Sequence, residues 1–132
     1  NAFAEVVGRE KREPRYIGDL PHGWVASDFI RSSLDRFFYE KSGFEVILGG
    51  GIDKNWLAGN GISIKGLLTT EGKITFNMHY IKGVLNVNIK GGDRFNYNIP
   101  AHLITKNVLI FNGKKIKTNG GDFVQYPPVE MK

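Results

Sequence analysis

At 132 residues the chain is long enough for one domain with its own core, and the absence of cysteine excludes a disulfide scaffold or a thiolate zinc site. No apolar run approaches the ~18 residues that a membrane-spanning helix needs, so no membrane partner is expected. The formal charge of +5 is interleaved along the chain: Arg9, Lys11, Arg12 and Arg15 stand among Glu10 and Glu13, which reads as a solvated surface and excludes nucleic acid as the expected partner.

Residues 1–20 are polar, basic and broken by Pro14, and read as a lead-in segment; with no initiator methionine, the chain reads as a piece of a larger protein. Residues 21–41 carry the one helical pattern. Ile30, Leu34, Phe37 and Phe38 fall at i, i+4, i+7 and i+8 on one face. Pro21 suits a first turn and Gly43 a stop.

After Gly43 the period changes from 3.6 to 2. Phe44–Leu48 is an apolar run ended by Gly49-Gly50-Gly51, and Ile62–Leu68 follows Gly59-Asn60-Gly61. In 73–82, Ile74, Phe76, Met78 and Tyr80 take one face. Leu85, Val87 and Ile89 alternate with polar residues in 84–90, as Phe95, Tyr97 and Ile99 do in 95–99. Each pattern fits a half-buried antiparallel strand. Thr70–Lys73, Lys82-Gly83 and Gly91-Gly92-Asp93 are predicted hairpin turns. Asn112-Gly113, between 108–111 and 114–117, is the strongest hairpin signal. Tyr126-Pro127-Pro128 reads as an extended tail. The expected fold is mainly β: an antiparallel, jelly-roll-like β-sandwich over 44–132, with one N-terminal amphipathic helix, 21–41, packing on the sandwich.

Catalytic chemistry has no self-sufficient signature. There is no Gly-x-Ser-x-Gly elbow, and the glycine clusters are not followed by helices that could cradle phosphate. His22, His79 and His102 lack metal-ligand spacing, so neither a metal nor another cofactor is expected. The unusual feature is a set of asparagines on predicted outward positions of successive strands. Asn77, His79, Asn86, Asn88, Asn96 and Asn98 would form one polar platform. Asparagine is depleted in strands, so the platform is a candidate for sugar hydroxyls, for a neighbouring domain, or for plain solvent. Trp24 and Trp56 read as core or interdomain anchors. His22 and Trp24 join the asparagines as candidate ligand contacts.

Two segments carry a family resemblance. Pro21-His22-Gly23-Trp24-Val25-Ala26-Ser27-Asp28-Phe29-Ile30-Arg31 runs on to Phe38-Tyr39-Glu40. Leu48-Gly49-Gly50-Gly51-Ile52-Asp53-Lys54-Asn55-Trp56-Leu57 is followed by Gly61–Leu67 and Thr70-Glu71-Gly72-Lys73-Ile74. Together they resemble the C-terminal end of bacterial (α/α)6-barrel, six-hairpin glycosidase-like proteins of the α-L-rhamnosidase and glycoside-phosphorylase types, although Gly23 stands where that family usually has threonine. The resemblance implies a non-catalytic accessory β-sandwich that supports the stability and packing of an upstream catalytic barrel in the same parent chain. The parent would be a glycoside hydrolase or phosphorylase whose catalytic carboxylates lie in the barrel. It also implies a periplasmic or secreted location, and a homodimer of the isolated piece through the surface a barrel would cover. The alternative is a stand-alone carbohydrate-binding module that uses the asparagine face.

Overall fold

The computed structural model describes residues 21–118 and 120–127. The lead-in segment expected at 1–20 lies outside the described residues, as does Pro128 of the expected tail. The chain falls into two units, one ending at Asp35 and one beginning at Arg36. The first unit holds helix α1, Gly23–Asp35. His22 starts it: Ala26 N–H donates to the His22 carbonyl at 3.1 Å and Val25 N–H to His22 Nδ1 at 3.3 Å. Arg31 Nε and Asp35 Oδ1 pair one turn apart at 3.1 Å. No residue of α1 is buried.

The helix therefore stops six residues before the predicted end at 41. Phe37 and Phe38 leave the helical face assigned to them, because Phe38-Tyr39-Glu40 is a β strand. Aromatic residues favour a pleated surface, and here the run finds a ladder partner: Phe38, Tyr39 and Glu40 pair with Leu48, Ile47 and Val46. Gly43 and Phe44, at φ 70 and 64, turn the chain between these two strands instead of capping a helix. A bulky residue at positive φ is unusual. Phe44 is held there by Arg94, 4.2 Å above its ring, and by Asn96 N–H on its carbonyl at 2.9 Å.

The second unit is a β-sandwich. Its strands are β1 (Phe38–Glu40), β2 (Glu45–Leu48), β3 (Ile62–Thr69), β4 (Gly72–Ile81), β5 (Val84–Lys90), β6 (Asn96–Pro100), β7 (Val108–Phe111), β8 (Lys114–Lys117) and β9 (Phe123–Tyr126). They form a four-stranded sheet, β1-β2-β6-β9, and a five-stranded sheet, β3-β4-β5-β7-β8. The two strands not predicted from the sequence, β1 and β9, are the edges of the smaller sheet. Two pairings, β2 with β6 and β5 with β7, are parallel; a period of 2 serves either direction equally well.

The β3–β4, β4–β5 and β7–β8 connections are the predicted hairpins. At β7–β8, Asn112 and Gly113 lie at φ 46 and 77, the paired positive values of a type I′ turn. The expected hairpin at Gly91-Gly92-Asp93 is a correction. There the chain crosses from one sheet to the other, because Phe95 and Tyr97 are buried among the core aromatics rather than laid beside β5. Phe95 N–H and the Tyr97 hydroxyl both donate to the Gly92 carbonyl, at 3.1 and 2.8 Å, and fix the crossing.

The inward positions of both sheets make one core. Phe38 joins its aromatic part, with ring centroids 6.0 Å from Phe76, 5.6 Å from Phe95 and 6.4 Å from Tyr97. Val46, Leu48, Leu85, Val87, Ile99 and Leu109 fill the space around them. At one end Phe111 stacks on Tyr126 at 4.0 Å. No described helix is long and apolar enough to cross a membrane.

Candidate functional site

Alternation on β4 and β5 sends Phe76, Met78, Leu85 and Val87 inward, so Asn77, His79, Asn86 and Asn88 point away from the core. Register sets them side by side. Asn77 is opposite Asn88, and His79 opposite Asn86. Asn88 Nδ2 donates to Asn77 Oδ1 at 3.1 Å, and Asn86 Nδ2 to the Val84 carbonyl at 2.9 Å. Next to this pair of rows lies a shallow depression of about 240 Å³, lined by Ser63, Lys65, Thr75, Asn77, Asn88 and Lys90 together with Phe76 and Ile89. Thr75 Oγ1 accepts the Gly66 N–H at 3.0 Å, beside a register shift between Ile64 and Leu67.

The other two asparagines are elsewhere, which corrects the single platform. Asn96 and Asn98 are on β6, in the four-stranded sheet, because the chain has crossed at Gly91-Gly92-Asp93. Their amides serve a carboxylate. Asn96 Nδ2 donates to Glu45 Oε1 at 3.0 Å and Asn98 Nδ2 to Glu45 Oε2 at 2.6 Å. This clamp ties β2 to its parallel neighbour β6.

His22 and Trp24 belong to the helical unit, ring edge to face at 6.0 Å, and Trp24 is 81% exposed. Trp56 lies within the short turn Lys54–Leu57, whose cap Asp53 accepts the Asn55 N–H on Oδ1 at 2.7 Å. Ile52 and Leu57 are buried, while Trp56 stays 47% exposed with its ring 6.2 Å from Phe37. Trp56 is thus neither a core residue nor a free platform. It is one half of an aromatic pair at the start of the sandwich unit.

A second recess, about 260 Å³, lies at the end of the sandwich between Gly92, Asp93, Tyr97, Phe111, Tyr126 and Pro127. Its one buried hydroxyl, on Tyr97, is spent on Gly92. Burial first, and then the Asp93 carboxylate, hold the Tyr97 phenol above the ordinary tyrosine value of 10.0. The phenol stays a neutral donor, suited to fixing the crossing rather than to proton transfer at neutral pH.

Other carboxylates have structural partners too. Glu40 Oε2 accepts from both the Thr70 N–H and its hydroxyl, and Glu71 pairs with Arg94 at 3.5 Å. Among the described residues no group of three His, Cys, Asp or Glu side chains could hold a metal ion.

The chain-wise reading of the charge missed a segregation in space. Strands β3, β4, β5, β7 and β8 contain Lys65, Lys73, Lys90, Lys114, Lys115 and Lys117 and no acid. Strands β1, β2, β6 and β9 contain Glu40 and Glu45 and no lysine or arginine. The available signal was the shared phase of Lys65, Lys73 and Lys90 with the polar positions of their strands. No protein-family model matches this chain, and no curated protein or solved structure compared with it does either.

Proposed function

We propose that this chain is a non-catalytic accessory β-sandwich of a carbohydrate-active, glycoside-hydrolase-like protein, and that it supports the stability and packing of a catalytic (α/α)6 barrel. The observation that carries the reading is the segment from Leu48 to Leu57, which also carries the sequence resemblance. Its glycines let the chain fold tightly against Arg36, two residues before β1: Gly51 N–H donates to the Arg36 carbonyl at 3.0 Å, and a Cβ on Gly51 would lie 2.9 Å from Arg36 Cγ. The same segment anchors Ile52 and Leu57 in the core and leaves Trp56 half-exposed beside Phe37. An aromatic pair at the surface, anchored beside buried Ile52 and Leu57, is apolar area suited to a neighbouring domain. The structural employment of Glu40, Glu45, Asp53 and Glu71 supports the non-catalytic part, since glycoside hydrolysis needs two carboxyl groups free to flank a bond.

The test is to read the coding sequence upstream of Asn1 and to compare the joined protein with a version lacking residues 44–132. The expected result is several hundred upstream residues of paired amphipathic helices, a lower thermal midpoint without the sandwich, and no glycoside turnover by this chain alone. Turnover by this chain, or an upstream sequence without such helices, overturns the reading.

A second reading is favoured by a separate observation, the adjacency of Asn77, His79, Asn86 and Asn88 in two cross-strand pairs. Planar amides offer both a donor and an acceptor to a sugar hydroxyl, which suits a carbohydrate-binding module. Saturable glycan binding that is lost in Asn86→Ala/Asn88→Ala supports it; binding unchanged in that variant removes these residues from the site.

A further inference from the structure

The geometry points to the outward face of the five-stranded sheet as a binding site for an acidic polysaccharide, a chain of hydroxylated sugars that carry carboxylates or sulfates. The proposal rests on the second reading above and names its ligand class. Four observations combine. The face has a centre of neutral hydrogen-bonding groups, Asn77, Asn86, Asn88, Ser63 and Thr75. It has a depression of about 240 Å³ in which Ser63, Thr75, Asn77 and Asn88 meet Lys65 and Lys90. Its outward lysines continue across the sheet to Lys115, in register with Ile110, which is in register with Asn86. Finally, none of the five strands contributes an acid.

Lysines on edge strands have an ordinary explanation, since they discourage edge-to-edge pairing. That accounts for Lys65 on β3 and for Lys115 and Lys117 on β8, the two edges of this sheet. It does not account for Lys90, which is on the central strand β5, opposite Thr75 on β4. Ordinary surfaces also intersperse the two signs. Here the like charges are separated by amides and hydroxyls, an arrangement that leaves room for anions between them. With about 3.4 Å per residue and 4.8 Å between strands, Lys90 and Lys115 stand roughly 16 Å apart at their backbones. A site of that reach suits several residues of a polymer rather than one small anion.

The chemistry of the face also separates ligand classes. Neutral sugars and single-stranded nucleic acids are held largely by stacking on aromatic rings. The outward positions named above include no phenylalanine, tyrosine, tryptophan or arginine, and Phe76, which also lines the depression, is 1% exposed and offers no ring face to stack on. Lysine ammonium groups as point charges, with amides between them for hydroxyl groups, match a polymer whose charges are spaced by hydroxylated rings.

The test is calorimetric titration of the full chain with polygalacturonate, dextran sulfate, unmodified dextran and duplex DNA at one salt concentration. Saturable binding to polygalacturonate or dextran sulfate is expected, and which of them binds tells carboxylate from sulfate. Lys65→Ala/Lys90→Ala should weaken it at least tenfold, Lys65→Arg/Lys90→Arg should retain most of it, and Asn77→Ala/Asn88→Ala should weaken it about threefold or more. DNA bound as tightly, with the asparagine variant unchanged, would reduce the face to a general polyanion surface and overturn the proposal. Binding of dextran alone would keep the carbohydrate-module reading and sink the acidic ligand. Binding of none of the four polymers would sink both.

Discussion

Phe38 separates the helical reading of residues 21–41 from the strand that the structure contains. As part of a helical face with Ile30, it would share that face's burial. As the inward residue of β1 it is 4% exposed and surrounded by Phe76, Phe95 and Tyr97, whereas Ile30 is 59% exposed. Truncating Phe38 to alanine removes a transfer contribution of up to about 3 kcal/mol. It also leaves a cavity among three rings, Phe76 on β4, Tyr97 on β6 and Phe95 just before β6, that cannot all relax inward. The total should reach about 3–5 kcal/mol, and Ile30→Ala should cost under about 1 kcal/mol. For a sandwich of this size, 1 kcal/mol moves the thermal midpoint by roughly 4–8 °C, so the two variants should differ by on the order of 15 °C. Urea unfolding followed by near-ultraviolet circular dichroism, which reports the aromatic core, measures both. Equal losses, or a Phe38→Ala loss under about 1.5 kcal/mol, would refute the placement of Phe38.

Three further outcomes can be measured in the same way. A Cβ on Gly61 would lie 2.1 Å from the Met78 carbonyl oxygen, whereas Gly59 has open space at a similar φ; Gly59→Ala should therefore cost about 1 kcal/mol and Gly61→Ala several. Asn112 combines a positive φ with a side-chain oxygen that accepts the Ile89 N–H at 2.7 Å. Asn112→Ala should lose about 1–3 kcal/mol and Asn112→Gly less, since glycine keeps the turn and loses only the acceptor. Tyr97 is held protonated in the folded state above its ordinary value of 10.0. Its stabilisation is thus present below about pH 10 and declines as pH rises beyond that, toward the folded-state value. Unfolding free energy measured against pH should fall in this alkaline range, and Tyr97→Phe should flatten the fall.

The candidate site was half legible before the structure. The outward phase of Asn77, His79, Asn86 and Asn88 follows from alternation, because consecutive side chains on a strand point to opposite faces. Asn96 and Asn98 have the same outward phase, yet they face away from the other side of the sandwich. Alternation reports inside or outside and is silent on which outside. The crossing at Gly91-Gly92-Asp93 looks locally like another glycine turn; what makes it a crossing is the burial of Phe95 and Tyr97 against Phe38, a partner more than fifty residues earlier in the chain. The lysines illustrate the same limit. Lys65, Lys73, Lys90 and Lys115 are dispersed in sequence and gather only when β3, β4, β5, β7 and β8 become neighbours.

Local chemistry determined the class of this protein on its own. A period of 2 between glycine-rich turns specifies strands with one wet face, Asn112-Gly113 specifies a type I′ hairpin, and the apolar content is enough for a sandwich core without disulfides. The tertiary structure decided strand order, the parallel pairings of β2 with β6 and β5 with β7, and the conversion of Phe38-Tyr39-Glu40 from helix to edge strand. It also divided the charges, with lysines on one sheet and glutamates on the other. The physical reason is range. Turn geometry and side-chain phase depend on residues a few positions apart, whereas sheet membership depends on which distant apolar surfaces bury one another, and the surface each sheet shows to solvent is set by that choice.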